Sequence, residues 1–443
     1  EILKAQEILD HFDLAIIFDL KEFAVKSLID FESLKFEFAN CSCGIPHSLV
    51  FPYQESFPGL VHHVGEILLK QTFPRRLLLV ADCQTLQAST GILESLREFS
   101  LKKQIYEDVR LAELCESERI QQLASDSDGI LAVGTGSIHD ICRYAAATIQ
   151  KPLCLFATAP SMDGFASYNA ALTHHQFKET YAAKTPEIIL ADTTILANSP
   201  AELKAAGFGD MVAKYVALID WQVAHLLIDE PFCPKVARLT RMAADHIMSL
   251  AKQLQTVNEE SAQAVFEGLL LTGIGMGLTK TSRPASGTEH ILSHFWECQK
   301  LLEGKMSDFH GKKVGVATLL IMKKYAELAE IESVSAVPEQ CDWKAIYQAY
   351  GPLAKQVKAI NFPKTITKNI DPQKISDLWP KIREIIRSVP SVEEIRQAMI
   401  DAGCALTTDE IGISDTLRDL GLAFHPYMRH RLSLYRLLNM IDA

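Results

Sequence analysis

The sequence predicts two domains, an α/β domain with a parallel sheet followed by an all-helical domain. Short apolar runs at residues 77–81, 129–133, 153–157 and 188–191 alternate with stretches of helical period. Alternation of this kind is typical of a parallel sheet covered by helices, and a run that is apolar on both faces fits a strand buried between two layers. Beyond residue 198 long segments with helical period follow, among them residues 208–227, which predicts the helical domain.

The expected domain boundaries follow from this change of pattern. Residues 1–40 have the periodicity of amphipathic helix and are expected to form an N-terminal helical extension. Residues 41–198 form the predicted α/β domain and residues 199–443 the helical one. At the second boundary, Ser199 is predicted to cap the next helix, with Pro200 in its first turn.

Composition excludes several classes of function. The 443 residues are 48% hydrophobic and carry a formal charge of −11, so they give no global support for binding nucleic acid or an anionic membrane. Ten cysteines scattered over this length are unlike a disulfide framework and favour a reducing compartment. Because no run of about 18 apolar residues is present, we expect a cytoplasmic protein without membrane insertion.

A glycine-rich turn, GTGSIHD at residues 134–140, follows the apolar run at 129–133. A strand, a tight glycine turn and a helix would aim free backbone N–H groups at a phosphate. The spacing differs from the usual G-x-G-x-x-G, and two glycines also occur in such turns for steric reasons. Asp82, at the end of another predicted strand, could accept hydrogen bonds from ribose hydroxyls, which favours NAD over NADP, or could simply begin a turn.

Another polar segment, ATAPSMDGFAS at residues 157–167, follows a third predicted strand. Thr158, Ser161 and Ser167 offer hydroxyl donors, and Asp163 could bind substrate hydroxyls or face a metal. Ligands of open α/β sheets bind at the carboxyl ends of strands, where this segment is expected. Ordinary surface loops have a similar composition.

Three segments far apart each offer one residue that a divalent metal accepts: Asp210, His290 and His310. One carboxylate and two imidazoles leave a coordination position open, which is typical of catalytic metal sites. His294 shares a helix face with His290. Asp210 could instead serve only the start of its helix or pair with Lys214 four residues on.

The segment CSCGIPH offers three soft ligands for zinc, Cys41, Cys43 and His47. A C-x-C pair without a second pair downstream lacks the spacing of zinc fingers and ribbons. The alternative is a plain turn at residues 44–46 that leads into the first strand.

In this order, GTGSIHD, ATAPSMDGFAS, AGFGDMVAK, GLTKTSRPASGTEH and HGKKVGVAT resemble the glycerol-1-phosphate dehydrogenases of bacteria and archaea. That group belongs to the superfamily of metal-dependent alcohol dehydrogenases, glycerol dehydrogenases and dehydroquinate synthases. The resemblance extends from about residue 82 to about residue 318, and SRPASGTEH is its most specific part. One departure is Thr135, where many relatives have glycine.

The resemblance implies a Rossmann-like α/β domain, an all-helical domain and an active site in the cleft between them. It implies that Asp210, His290 and His310 coordinate one divalent cation, zinc or nickel before iron, and that Asp163 holds substrate hydroxyls. The nucleotide, NAD(H) or NADP(H), is expected to contact Asp82, Gly134, Gly136, Ser137, Asp140, Thr158, Ser161 and Ser167.

The implied reaction is the reversible reduction of dihydroxyacetone phosphate to sn-glycerol 1-phosphate, with His294 relaying the proton. Arg283 is the first candidate for the substrate phosphate because a guanidinium can grip it through two parallel hydrogen bonds. Lys178 and Lys184 are the alternatives. A homodimer is expected from family habit and from the general preference for two-fold symmetry.

Three other functions compete with this one. A lyase related to dehydroquinate synthase would use the same nucleotide and metal without net change in NADH. A glycerol or iron-dependent alcohol dehydrogenase would act on an unphosphorylated alcohol and would not need Arg283. A non-catalytic nucleotide or metal sensor, with CSCGIPH as its metal module, would bind NADH without turnover.

Overall fold

A computed structural model describes residues 29–442 of the chain. Most of the predicted N-terminal extension therefore lies outside the described residues. Its described part contains helix α1, Phe31–Ala39, which begins where the Asp30 carboxylate accepts hydrogen bonds from the backbone N–H groups of Glu32 and Ser33. This is the usual way in which an aspartate satisfies the free donors at a helix start.

The first half of the described chain contains eight strands. Six of them form one parallel sheet in the order β1-β8-β5-β4-β2-β3, and β6 and β7 form a separate antiparallel hairpin. The strands are β1 (Tyr53–Phe57), β2 (Arg76–Asp82), β3 (Ser100–Tyr106), β4 (Gly129–Gly134), β5 (Leu153–Ala157), β6 (Asn169–His174), β7 (Phe177–Ala182) and β8 (Ile188–Asp192).

The four apolar runs of the sequence form β2, β4, β5 and β8, the inner strands of the sheet, so the predicted fold class is confirmed. The sequence did not predict β1 and β3. Both are edge strands with partly exposed, polar residues, YQESF and SLKKQIY, and therefore lack the apolar signal of a buried strand.

Helices connect the strands on both faces of the sheet. They are α2 (Val64–Lys70), α3 (Cys83–Ala88), α4 (Ile92–Ser95), α5 (Leu114–Leu123), α6 (Gly136–Ile149) and α7 (Thr193–Asn198). From β2 the chain continues to β3, which lies toward one edge of the sheet. From β4 it continues to β5, which lies toward the opposite edge. This reversal places a crevice beyond the carboxyl ends of β2 and β4, the usual position of a ligand in an open α/β sheet.

The remaining chain is helical apart from a short pairing of Ser335–Ala336 with Ile441–Asp442. The helices are α8 (Ala201–Val212), α9 (Lys214–Ile228), α10 (Pro234–Ser249), α11 (Glu259–Thr279), α12 (Thr288–Leu302), α13 (His310–Glu330), α14 (Trp343–Tyr350), α15 (Ala354–Asn361), α16 (Pro372–Arg387), α17 (Val392–Asp401) and α18 (Asp415–Phe424).

Two details of the helical prediction are wrong. Ser199 does not cap α8, because its hydroxyl donates to the Leu196 carbonyl and Pro200 holds the N-cap position. The segment from residue 208 to residue 227 forms two helices that meet at Ala213 instead of one continuous helix. Both features depend on contacts that helical periodicity does not describe.

Two helical stretches, Ala201–Ile228 and Glu259–Thr279, are long and apolar enough by composition to cross a membrane. In the fold 78% and 94% of their most apolar windows are buried inside the protein. Burial of this extent is what core helices of a folded domain show.

Candidate metal and nucleotide site

The structure brings Asp210, His290 and His310 together. One ligand atom from each lies within 4.8 Å of the other two, although the residues come from α8, α12 and α13. Nε2 of His290 lies 3.4 Å from Oδ1 of Asp210. One carboxylate oxygen and two imidazole nitrogens at this spacing suit a divalent cation and leave coordination positions open.

Glycines allow α8 and α13 to approach closely enough to form this set. A Cβ atom at Gly209 would lie 2.5 Å from the Gly311 carbonyl oxygen, and a Cβ at Gly311 would lie 1.9 Å from that of Ala206. No larger residue fits these positions without moving the backbone. The contact places Asp210, one residue after Gly209, beside His310, one residue before Gly311.

Buried neighbours orient two of the three candidate ligands, His290 and Asp210. Nδ1 of His290 lies 2.5 Å from Oε1 of Glu289 and donates to it, so Nε2, which lies 3.4 Å from Asp210, is the nitrogen that would bind a metal in place of a proton. The Lys214 ammonium donates to Oδ1 of Asp210 at 2.8 Å and to Oδ2 of Asp163 at 2.6 Å. The Asp163 backbone N–H donates to the other oxygen of Asp210.

Electrostatics give the ligands different protonation states. Burial by itself would raise the pKa of Asp210, but Lys214 and the hydrogen bond from His290 outweigh it and hold this pKa well below its usual range. Burial raises the pKa of Asp163, and the Asp210 charge adds to the increase. Burial lowers the pKa of His310 to about 3, which leaves a neutral imidazole that can donate its lone pair.

The site opens into a cavity of about 510 Å³ between the two domains. Residues of the α/β domain and of the helical domain both line it, among them Gly136 and Ser137 on one side and His290 and His310 on the other. The cavity reaches the crevice beyond β2 and β4. It is large enough for a ligand that contacts both domains.

The glycine turn after β4 lies at this crevice. Gly136 has φ +32°, which favours glycine, and a Cβ atom there would meet nothing within 4 Å. The turn is therefore open on the cavity side, and α6 begins at Gly136 with its first N–H groups close to that opening. An anionic group such as a pyrophosphate fits this position.

Most, but not all, of the other predicted nucleotide contacts line the cavity. Asp82, Ser137, Asp140, Ser161 and Ser167 line the cavity. Asp82 also begins α3, because its carboxylate accepts from the Thr85 N–H at 2.7 Å. Thr158 and Gly134 are not among the cavity-lining residues, although the Thr158 N–H donates to the Gly134 carbonyl and ties β5 to the turn.

Asp140 and Thr135 have protein partners of their own. Arg143 donates to the Asp140 carboxylate at 2.6 Å. The Thr135 hydroxyl lies 2.7 Å from that of Ser161, so the residue that departs from the related sequences links the glycine turn to the segment after β5.

A cluster of charged side chains also lines the cavity. Lys178 and Lys313 donate to opposite oxygens of Glu297, at 3.0 and 2.8 Å, and all three residues line the cavity. Burial by itself would lower the pKa of Lys178, but the charge of Glu297 outweighs burial and raises this pKa. The two lysines in turn hold the pKa of Glu297 well below its usual range. Two cations on one carboxylate leave a net positive charge.

His294 lies beside this cluster. Its ring centroid is 5.7 Å from that of His310, and its Nε2 is buried without a hydrogen-bond partner among the described residues. Burial, with the charge of Arg429, holds its pKa well below the usual range, so the ring is neutral. An unpartnered buried nitrogen facing a cavity is a natural contact for a ligand.

The structure places Arg283, the first candidate for the substrate phosphate, outside the residues that line the cavity. Its guanidinium is 2% exposed and does not line the cavity. It makes a bidentate ion pair with Glu230, including a 2.6 Å bond from Nε, and also donates to the Leu432 carbonyl. Lys184 is also outside the cavity and pairs with Glu187 at 2.5 Å.

Sequence reasoning missed the roles of Glu289, Glu297 and Lys313. Glu289 is adjacent to His290 and fully buried. Its burial is what indicates a role in the site, and burial cannot be read from the sequence. Lys313 follows His310 at the spacing of one helical turn, which places both on one face of α13 and was available from the sequence.

Comparison with known proteins agrees with this architecture. Residues 55–200 match the family model described as iron-containing alcohol dehydrogenase. Among solved structures, a putative alcohol dehydrogenase from Ralstonia eutropha is similar with a TM-score of 0.59 and 13% identity, covering 89% of this chain and 95% of that one. NADH-dependent butanol dehydrogenase A from Thermotoga maritima has a TM-score of 0.58 and 14% identity, covering 88% and 92%. The fold is thus that of the iron-containing alcohol dehydrogenases.

Curated relatives define the family more closely. Glycerol-1-phosphate dehydrogenase [NAD(P)+] from Geobacillus stearothermophilus is 32% identical over 89% of this chain and 93% of its own length. The enzyme of the same name from Geobacillus thermodenitrificans is 32% identical over 82% and 85%. The chain belongs to the glycerol-1-phosphate dehydrogenase family, as the order of its motifs predicts.

Proposed function

We propose that this protein catalyses the NAD(P)-dependent, reversible reduction of dihydroxyacetone phosphate to sn-glycerol 1-phosphate. The observation that carries the proposal is that one cavity is lined by His290 and His310, which form a metal-binding set with the buried Asp210, by the open glycine turn and by a positively charged cluster. A dehydrogenase for a phosphorylated ketone needs all three. Membership of the family supports the same activity.

A divalent cation held by Asp210, His290 and His310 would polarise a substrate oxygen, and a nicotinamide nucleotide at the glycine turn would exchange hydride. We propose zinc or nickel, because two imidazoles and one carboxylate suit both metals. Glu289 keeps Nε2 of His290 available, and Lys214 keeps Asp210 ionised. Asp163, which lines the cavity, would bind the substrate hydroxyls.

Lys178 and Lys313 would bind the substrate phosphate. Their shared partner Glu297 neutralises one of the two positive charges, and the remaining charge attracts an anion into the cavity. This assignment replaces Arg283 and retains Lys178, one of the alternatives that the sequence offered.

His294 would relay the proton that accompanies reduction, accepting it from water at one ring nitrogen and passing it to the substrate oxygen from the other. Its neutral ring has a free Nε2 within the cavity wall, one helical turn from His290. Asp82, at the carboxyl end of β2, would bind the ribose hydroxyls and favour NAD over NADP. We further propose a cytoplasmic homodimer without membrane insertion.

One experiment tests the reaction. NADH loss is followed with dihydroxyacetone phosphate in metal-stripped protein resupplied with one cation at a time, and the chirality of the product is then determined. Turnover restored by zinc or nickel, giving sn-glycerol 1-phosphate, is the expected result. Turnover on unphosphorylated glycerol alone would indicate a polyol dehydrogenase, and substrate consumption without net NADH change would indicate a lyase. NADH binding without turnover would indicate a sensor.

A further inference from the structure

A second cluster of metal-binding side chains lies outside the cavity. Cys41, Cys43 and His47, the CSCGIPH segment, meet Cys233, which is the N-cap residue of α10. One ligand atom of each lies within 4.8 Å of all the others. Cys233 is 186 residues from His47 along the chain. The fourth ligand that the sequence appeared to lack is therefore supplied by the helical domain.

Three of the distances between these ligand atoms are close to those of a tetrahedral site. The Sγ atoms of Cys41 and Cys233 are 3.7 Å apart, and Nε2 of His47 lies 3.2 Å from Sγ of Cys43 and 3.7 Å from Sγ of Cys233. A tetrahedral zinc ion with bonds of about 2.3 Å to sulfur separates two thiolates by about 3.8 Å. A disulfide instead requires sulfur atoms about 2.05 Å apart.

The histidine is oriented for coordination through Nε2. Its Nδ1 lies 3.0 Å from the Leu278 carbonyl oxygen, which can only accept, so Nδ1 carries the proton and Nε2 presents a lone pair. Metal-bound histidines usually donate their second nitrogen in this way. The Phe38 ring packs edge-on against the imidazole with centroids 5.1 Å apart and limits its rotation.

We propose that Cys41, Cys43, His47 and Cys233 bind one zinc ion in a closed, structural site. Three thiolates and one imidazole fill a tetrahedral coordination shell, so no position remains for substrate, in contrast to the open Asp210, His290 and His310 set. Thiolates also favour zinc over the harder cations.

The site would fasten the segment after α1 to the helical domain. Cys233 and Leu278 belong to that domain, and the Lys235 ammonium adds a 3.1 Å bond to the Glu37 carbonyl of α1. Glu230, three residues before Cys233, is the partner of Arg283. Arg283 lies in the loop whose Ser282, Ala285 and Ser286 line the cavity. A zinc ion bound here would therefore stabilise, through Glu230 and Arg283, a loop that forms part of the cavity wall.

Cobalt substitution tests the proposal without relying on activity. Cobalt-loaded full-length protein is expected to show thiolate-to-cobalt charge-transfer absorption in the near ultraviolet, with one equivalent per chain. The Asp210, His290 and His310 set has no sulfur ligand and does not contribute to this band. Cys43→Ser and Cys233→Ser are expected to lose it, whereas Cys341→Ser, a similarly half-buried cysteine outside the cluster, keeps it. Absence of the band from folded wild-type protein overturns the proposal, whatever the variants do.

Zinc analysis provides a second readout. Asp210→Asn removes the other cation site, so this variant, dialysed against a mild chelator, is expected to retain about one zinc per chain. Adding Cys43→Ser is expected to reduce the content to zero, with circular dichroism confirming that the variant is folded. Zinc content unchanged by Cys43→Ser contradicts the proposal. So does a Cys41–Cys233 disulfide found by peptide mapping of protein purified under reducing conditions.

Discussion

Oε1 of Glu289 lies 2.5 Å from Nδ1 of its neighbour His290, and both side chains are buried. The same carboxylate oxygen accepts from the Gly287 N–H at 2.8 Å, so it is fixed from two directions. Burial alone would lower the pKa of His290, but its hydrogen bonds to Asp210 and to Glu289 outweigh burial and raise this pKa to about 9. A carboxylate in this position makes the imidazole a stronger and better oriented ligand.

Glu289→Gln is therefore expected to weaken cation binding by about 10–100-fold, the usual effect of losing such a partner. Competition with a chromogenic chelator measures the affinity. Glu118→Gln, which changes an exposed carboxylate on α5, is the matched control and is expected to bind like wild type. Unaltered affinity in Glu289→Gln would show that this carboxylate does not support the metal.

Asp210→Asn and His310→Ala are expected to lose both cation retention and turnover. Lewis-acid stabilisation contributes several kcal/mol, so kcat/KM is expected to fall by about 10³-fold or more. Metal analysis and the NADH assay are performed on the same preparations. Either variant showing full activity without bound metal would refute the ligand assignment.

Lys178→Met is expected to raise the KM for dihydroxyacetone phosphate by about 10–100-fold, because one charged hydrogen bond contributes about 1.5–3 kcal/mol. The Kd for NADH is expected to change little. Lys184→Met is the control, since Lys184 pairs with Glu187 outside the cavity. Equal KM values in the two variants would exclude Lys178 from phosphate binding.

Arg283→Ala is expected to affect stability more than substrate binding. Removing the guanidinium leaves Glu230 without its bidentate partner, a loss of about 2–4 kcal/mol that denaturant unfolding detects. The double variant Arg283→Met/Glu230→Gln is expected to recover part of it, because no charge is then left unpaired. A large rise in the KM for dihydroxyacetone phosphate, with stability unchanged, would restore Arg283 as the phosphate ligand.

His139 makes the stability of the fold depend on pH. Its ring is completely buried, and burial, together with the charge of Arg143, lowers its pKa from about 6.5 to about 3. Between these values the unfolded chain binds a proton that the folded chain does not, so stability falls as pH decreases from 6.5 toward 3.

His139→Leu removes this proton uptake. We compare the unfolding free energy of the variant with that of wild type at each pH. The difference, variant minus wild type, is expected to be about 2 kcal/mol larger at pH 5 than at pH 8. Denaturant titrations at both pH values measure the difference, and the change at pH 8 cancels from it. A difference that does not vary with pH would show that His139 is already protonated in the fold or accessible to solvent.

The sequence predicted those parts of the site that depend on local pattern. Asp82 and the glycines at 134 and 136 follow apolar strands, and parallel strands end at one edge of a sheet, so their proximity could be anticipated. The sequence could not indicate the partner of Arg283, because a guanidinium in a loop has the same sequence signal whether it faces a phosphate or a carboxylate. Glu230, its actual partner, is 53 residues away.

What the sequence by itself determined is the alternation of strands and helices, the inner strands of the sheet and the residue types able to bind a cation. These follow from short-range periodicity and from side-chain chemistry. The tertiary structure decided which groups meet: Glu289 with His290, Lys313 with Lys178 through Glu297, and Cys233 with the CSCGIPH segment. The physical reason is that these pairings depend on the packing of helices far apart in the chain, and no local pattern contains that information.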